Sequence, residues 1–337
     1  MQERKLQAKF RGALLGSAVG DALGFPYQDY SRSFMRSLLD PLLGGFARHP
    51  SGFYPLGQYT DDTQMAQAVA EAIIEKGCVH GETVADHLIP LWREQLVVDR
   101  SAACTEAMER LLKGVKTWQE SGLPLGRIES GPLPRAIAVG LWDHAHPEDL
   151  PRDIETTTSI THRDPRVAAA AAAIGAALAH NLTAEDLILG RLLDQSADAA
   201  GRFHGELAEA ILDFPRLLSQ SEFRAFEWFA GFASAAVGER PYSFDEGATE
   251  NSLHTVLIVF YHFLKNPFDY EKAVESSLRT GGDVDTIAAL TGALSGSLLG
   301  AAAIPEPLAG SVLDAGAIAD RADRLLSRWI GRRAPRA

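Results

Sequence analysis

Cysteine is almost missing from this chain. Cys78 and Cys104 are the only two cysteines among 337 residues. Two cysteines do not build a disulfide framework, and their scarcity is typical of a reducing compartment. The start, Met1-Gln2-Glu3-Arg4-Lys5, is not followed by the apolar core that a signal peptide would have. We therefore expect a cytoplasmic location.

Basic charge is also in short supply. The formal net charge is -12, which argues against general nucleic-acid binding or attraction to an anionic membrane. An anionic ligand would have to bind through metal ions or backbone amides. The longest uncharged stretch, residues 286–305, is rich in Gly, Ala, Ser and Thr. It predicts a buried helix and not a membrane span.

Alternating strand patterns are absent, and helical spacing dominates. We predict one all-α domain over residues 1–331, followed by a basic, disordered tail over residues 332–337. The predicted helices cover residues 4–23, 61–76, 103–119, 167–179, 184–199, 203–218, 221–236, 252–265, 270–279 and 312–331, with a further helix after Asp285. The predicted long loops cover residues 40–58, 121–135, 142–163 and 238–251.

Glycines recur every fourth residue in two of these helices, at 12, 16, 20 and 24 and again at 292, 296 and 300. Glycine costs a helix about 1 kcal/mol relative to alanine, so a ladder of them indicates close approach of another backbone. The two helices are predicted to be central, with each other as candidate neighbours. Asp21 would then lie near residues 283–286. It would either accept hydrogen bonds beside a metal site there or bond the backbone at a neighbouring helix end.

Two acidic clusters stand at helix entrances, Thr60-Asp61-Asp62-Thr63 and Asp283-Val284-Asp285-Thr286. Either cluster alone reads as a helix cap, because Asp and Thr are favoured there. A cap needs one oxygen, however, and each cluster offers two carboxylates. If the fold joins them, a hard cation such as Mg²⁺ or Mn²⁺ would relieve the repulsion. No Cys or His accompanies them, which argues against zinc or copper.

Three segments in order resemble the ADP-ribosylglycohydrolase family, which includes the dinitrogenase reductase-activating glycohydrolases and ADP-ribosylarginine hydrolases. They are residues 16–24 (GSAVGDALG), 59–64 (YTDDTQ) and 281–288 (GGDVDTIA). The resemblance spans residues 12 to about 305. It implies a single-domain orthogonal helical bundle with a binuclear Mg²⁺ or Mn²⁺ centre where helix N-termini converge. The implied metal ligands are Thr60, Asp61, Asp62, Asp283, Asp285 and Thr286.

The resemblance also implies a ligand that contains ADP-ribose. Residues 126–131, with Gly126, Ser130 and Gly131, correspond to the loop that receives the diphosphate, where backbone amides can bind anions. His162 corresponds to a histidine near the ribose and phosphate. Asp99 resembles the position that orients the substrate in arginine-directed bacterial enzymes. Gln28 stands where the family usually has a glutamate, so it would contact substrate but cannot act as a base.

The sequence thus predicts a metal-dependent hydrolase that releases ADP-ribose from an acceptor, with a protein side chain such as arginine preferred. Asp61 or Asp62 would take the proton of the attacking water. One alternative is a non-catalytic ADP-ribose-binding protein that lost hydrolysis through Gln28. Another is a structural helical protein whose clusters are only caps. The sequence leaves the acceptor open among arginine, serine, a small ester and a nucleobase. It also leaves open the choice between Mg²⁺ and Mn²⁺ and the oligomeric state.

Overall fold

The chain is an assembly of helices in a computed structural model that describes residues 2–38, 41–114, 116–184, 186–240 and 242–332. The helices are α1 Gln2–Gly24, α2 Arg32–Ser37, α3 Asp61–Lys76, α4 Gly81–Arg93, α5 Ala102–Leu112, α6 Trp118–Ser121, α7 Arg135–Asp143, α8 Leu150–Ser159, α9 Pro165–Thr183, α10 Leu189–Gly201, α11 Gly205–Leu212, α12 Phe214–Leu218, α13 Glu222–Ala235, α14 Ser252–Lys265, α15 Tyr270–Leu278, α16 Val284–Leu299, α17 Glu306–Ala309 and α18 Ala315–Arg332. Three short 3₁₀ turns lie at Phe25–Tyr27, Leu42–Gly44 and Ala301–Ala303. Over the described ranges, extended pairing is limited to isolated bridges. The predicted all-α, single-domain fold is confirmed.

Helices α1 and α16 form the centre of the fold by packing backbone against backbone. A Cβ atom at Gly12 or Gly16 would overlap the carbonyl of Gly296 or Gly292, and the reverse substitutions would overlap the carbonyls of α1. The Tyr270 hydroxyl fills the remaining space and donates to the Gly16 carbonyl at 2.9 Å. The two glycine ladders therefore mark one shared interface, as predicted.

The alanine-rich helix α9 is the second central element. Asp164 caps it by accepting a hydrogen bond from the Arg166 amide at 3.0 Å, and Pro165 occupies its first turn. Its alanines, from Val167 onward, are buried. Small side chains let neighbours come close on several sides, and α9 contacts α7, α8, α10, α14 and α16.

Several predicted element boundaries were wrong. The helix predicted over residues 103–119 is two helices, α5 and α6, separated around Gly114, which has a φ of 63°. The helix predicted over 203–218 divides at Asp213, just before Pro215, into α11 and α12. The segment predicted as a loop over 142–163 contains α8, whose proline lies in the first turn, where its missing N–H is tolerated. Helix α4 was missed.

Two further expectations concern the ends and the membrane. Arg332 is the last residue of α18, whereas residues 333–337 lie outside the described residues. In the part of the chain that is described, no helix combines the length and apolarity needed to cross a membrane. The cellular location stays a prediction.

Candidate functional site

The last turn of α1 brings the two acidic clusters together. Asp21 accepts hydrogen bonds from the amides of Thr60 and Thr63 at 2.9 and 3.0 Å and from the Thr63 hydroxyl at 2.6 Å. It therefore holds the entrance of α3. Three residues later, Gly24 packs so tightly on the Asp285 backbone that a Cβ would overlap it. One helix end thus contacts both clusters, across more than two hundred residues of chain.

The first cluster does cap its helix, but with one oxygen only. The Thr60 hydroxyl accepts from the Asp62 amide at 3.3 Å. The Asp61 amide donates to the Val98 carbonyl at 2.9 Å, and the nearby Ser101 backbone lowers the pKa of the Asp61 carboxyl in part. The cap reading is therefore correct for Thr60 and leaves the carboxylates of Asp61 and Asp62 unexplained.

The second cluster follows a backbone turn that only glycine suits. Gly281 and Gly282 have φ values of 74° and 76°, in the left-handed region that L side chains avoid. A Cβ on Gly282 would overlap the Ala248 carbonyl. The turn delivers Asp283 to the helix entrance, where its amide donates to Ala248 at 3.0 Å and its Oδ2 accepts from the Ser130 hydroxyl at 3.0 Å.

The four carboxylates share one buried region. Asp61, Asp62, Asp283 and Asp285 are each at most 7% exposed. Burial raises the pKa of all four, and repulsion adds to it: Asp62 is repelled by Asp21, Asp61 and Asp283, and Asp285 by Asp283 and Asp62. The neighbouring Thr286 side chain lowers the pKa of Asp62 and Asp283 in part.

The donor set fits a hard divalent cation. Oδ2 of Asp61, Oδ2 of Asp62 and Oδ1 of Asp285 are buried without a hydrogen-bond partner, which is costly for a carboxylate. All are oxygen donors, as Mg²⁺ and Mn²⁺ prefer. Across the described residues, no three Asp, Glu, His or Cys side chains are already grouped closely enough to hold an ion. Binding would therefore require these carboxylates to turn inward.

Arg135 is a buried cation behind this region. Its side chain is fully buried, and its Nη1 donates to the Thr157 carbonyl at 2.9 Å. Its charge lowers the pKa of Asp61. A structural role therefore suits Arg135 better than phosphate binding, since a fully buried guanidinium does not reach a ligand in solvent.

The 126–131 loop lies against both halves of the site. Ser130 reaches Asp283, and Gly131 packs against Cys104 and Ser101 at the start of α5. The Gly126 amide donates to Asp164 Oδ2 at 2.7 Å, so this amide is already engaged within the chain. The roles of Gly126, Ser130 and Gly131 toward a diphosphate stay predictions.

His162 lies beneath that loop with a fully buried side chain. Its Nε2 is 3.3 Å from Glu129 Oε2, and its Nδ1 is 3.1 Å from the Thr161 hydroxyl. Burial lowers the pKa of His162. Burial would raise the pKa of Glu129, but the neighbouring His162 and Arg127 lower it to about 2. The structure thus gives His162 a supporting position under the loop, and its predicted substrate contact remains a prediction. The sequence had not pointed to Glu129.

Gln28 and Asp99 are neighbouring, half-buried side chains beside the site. Burial raises the pKa of Asp99, and the Gln28 side chain lowers it in part. Asp99 is in turn the strongest charge neighbour of Asp61. Asp29 and Glu250 act on the same group of acids. Neither was noticed in the sequence, because they lie on separate loops and belong to no motif.

Comparisons with known proteins agree with this architecture. The sequence profile of the ADP-ribosylglycohydrolase family matches residues 2–335. The ADP-ribosyl-[dinitrogen reductase] glycohydrolase of Rhodospirillum rubrum is 27% identical over 301 residues, which is 88% of this chain and 87% of that protein. The ADP-ribosylarginine hydrolase Tri1 of Serratia proteamaculans is 22% identical over 316 residues, 89% of this chain and 74% of that protein.

A solved structure described as an ADP-ribosylglycohydrolase-related protein complex superposes with a TM-score of 0.74 and 22% identity. The match covers 97% of this chain and 99% of the other. The helical bundle and the matching family profile together identify the class of this protein as the glycohydrolases. The chain belongs to the ADP-ribosylglycohydrolase family, which confirms the resemblance read from its three motifs.

Proposed function

We propose that this glycohydrolase uses divalent metal ions to release ADP-ribose from a modified protein side chain, with arginine as the preferred acceptor. The observation that carries the proposal is the convergence of four buried carboxylates, three of which have an oxygen without a hydrogen-bond partner. Helical capping explains only the Thr60 oxygen. The remaining unpaired carboxylate oxygens are donors that a divalent cation could satisfy once these side chains turn toward it.

The residues that would hold two Mg²⁺ or Mn²⁺ ions are Thr60, Asp61, Asp62, Asp283, Asp285 and Thr286. Such ions, when bound, would neutralise the carboxylates and hold the ribose hydroxyls next to the reacting carbon. Asp21 would keep α3 in place beneath them, because it already holds the Thr60 and Thr63 amides.

In the reaction, the bond from ribose C1′ to the acceptor breaks and a bond from C1′ to a water oxygen forms. Asp61 and Asp62 are the candidates to take the water proton, which finally reaches the departing acceptor. Each has a buried Oδ2 with no competing hydrogen bond. Gln28 supplies no base but lies next to Asp99 and lowers its pKa, and we assign Asp99 to orienting the acceptor. Gly126, Ser130, Gly131 and His162 form the proposed diphosphate side.

The arginine assignment draws on the names of two relatives. One acts on ADP-ribosyl-dinitrogen reductase and the other is an ADP-ribosylarginine hydrolase, according to their names. The decisive assay measures ADP-ribose released from modified arginine, serine and small esters, each with Mg²⁺, Mn²⁺ or a chelator. We expect release from arginine that the chelator abolishes. Release that is unaffected by the chelator would contradict the metal requirement.

The non-catalytic alternative rests on Gln28, which replaces a glutamate of the family. Calorimetry with ADP-ribose, run beside the release assay, separates the two readings. Turnover by the unmodified chain supports the hydrolase. Tight binding without turnover, together with turnover gained by Gln28→Glu, would instead identify a binding protein.

A further inference from the structure

Three further acids, Asp29, Asp99 and Glu250, lie near the buried carboxylates and form the more exposed edge of the site, which we call its mouth. Asp29 and Glu250 are exposed, and Asp99 is half-buried. The four charged groups that raise the pKa of Glu250 are all acids, Asp29 and Asp99 among them. Among described residues, His49 is the basic side chain that lowers the pKa of Asp99. The mouth of the site is therefore acidic even apart from the four carboxylates on its floor.

Backbone hydrogen bonds hold Asp29 and Ala248 on either side of the turn that leads to Asp283. The Asp29 amide donates to the Gly282 carbonyl at 3.0 Å, and the Gly282 amide donates to Tyr30 at 2.8 Å. On the other side, Ala248 pairs with Gly281 at 2.8 Å and with the Asp283 amide at 3.0 Å. Asp29 and the segment that leads to Glu250 thus flank the second acidic cluster.

The floor below this mouth also has an unmet polar group. Asp61 is 6% exposed, its Oδ2 has no hydrogen-bond partner, and its strongest charge neighbour is Asp99. Asp29 adopts a φ of 65°, a conformation that Asp and Asn tolerate better than most residues. Asp29 therefore suits this exposed position, and it forms no ion pair with any residue in the described ranges.

Repulsion among unpaired carboxylates decreases when a cation enters between them. An arginine that carries ADP-ribose on its guanidine keeps a positive charge, whereas a seryl linkage or an ester is neutral. We propose that Asp29 and Glu250 are specificity-determining residues that select a cationic acceptor. This inference rests on the proposed function and adds two residues to it.

The test compares the wild-type protein with the double variant Asp29→Asn/Glu250→Gln on two peptides of one sequence, ADP-ribosylated on arginine or on serine. Both changes remove charge and keep shape, and Asn suits the φ of position 29. Two partly exposed charge contacts predict a loss of roughly fivefold to tenfold in kcat/KM for the arginine conjugate. For the serine conjugate we expect a change within about twofold. Added salt should reduce the wild-type preference.

Asp86→Asn, an exposed acid on α4 away from the mouth, is the matched control and should change neither substrate. Equal losses on both conjugates would overturn the inference. If the wild type releases ADP-ribose from neither, the proposed function fails. Affinities of the two intact conjugates then decide the inference: a preference for arginine that the double variant loses supports it, and equal affinities refute it.

Discussion

Asp21 shows how one buried side chain serves both stability and the site. It is fully buried on α1, yet three donors of the α3 entrance satisfy it. Burial raises the pKa of Asp21, and these hydrogen bonds offset part of that effect, so that the pKa is about 6. The sequence left two roles open for this residue. The structure shows that it bonds the neighbouring helix end, which places that end beside the second cluster.

A second buried acid, Asp143, makes a prediction about pH. Burial and the neighbouring Asp153 and Asp149 raise its pKa to about 9. The folded protein then keeps a proton that the unfolded chain releases near its ordinary value of 3.8. Stability should therefore fall as pH rises between those values, by up to about 1.4 kcal/mol per pH unit.

Asp143→Asn should remove this dependence. Urea unfolding at pH 5, 7 and 9 should show the variant gaining on the wild type as pH rises. Asp86→Asn, on the surface, should parallel the wild type. Equal slopes for wild type and Asp143→Asn would show that Asp143 is ionised in the fold.

At the scale of elements, the α1–α16 pair decides where both clusters lie. The pair has no room for side chains along its glycine face, and tightly packed interiors tolerate added volume poorly. Any change that separates these helices would also move Gly24 away from Asp285. The packing of the core and the geometry of the site are therefore linked.

Gly292→Ala tests this packing. Its Cβ would overlap the Gly16 carbonyl, so we expect the free energy of unfolding to fall by about 1–3 kcal/mol. Gly231→Ala lies within α13 with nothing near its Cβ, and it should gain about 0.5–1 kcal/mol. Urea unfolding measures both. A neutral Gly292→Ala would mean that the helices separate easily.

Much of the helical architecture could be predicted because glycine and capping residues have local physical meanings. The ladders indicated close backbones, and the predicted end of α3 at residue 76 is correct because the left-handed Gly77 follows it. The division between α5 and α6 was missed inside a long apolar pattern, although it lies at Gly114, whose φ is 63°. Helix α8 was hidden by its threonines, whose hydroxyls at 157 and 158 bond back to Ile154.

At the scale of the whole molecule, the buried carboxylates of the site predict that the relative stability of the wild type and the Asp62→Asn variant depends on divalent ions. Asp62 is one of four buried like charges. Without divalent ions, Asp62→Asn should be at least as stable as the wild type, because it relieves repulsion and desolvation. With Mg²⁺ or Mn²⁺ at about 100 times Kd, the wild type should gain about 2.7 kcal/mol.

The ranking should then reverse, because the variant has lost a ligand. Thermal unfolding of both proteins, with chelator and with each ion, measures the reversal. The exposed control Asp86→Asn should respond to the ions as the wild type does. No metal-dependent shift in the wild type would contradict the cation site.

The site could be predicted only as far as its motifs reach. Asp61, Asp62, Asp283 and Asp285 were found because their charge exceeds what a cap needs. Glu129, Asp29 and Glu250 were not, since each comes to the site through a loop whose path depends on distant backbone contacts such as those of Gly282. Only the assembled fold shows that these acids share a mouth.

The site has a fixed base and an adjustable edge. Its base is made from the innermost helices, so variation there would be removed by misfolding before any new chemistry was tried. Its edge is carried by surface loops that can change without disturbing the interior. A laboratory selection for cleavage of a different linkage should therefore accumulate its substitutions in those loops, and natural relatives with other acceptors should differ there first.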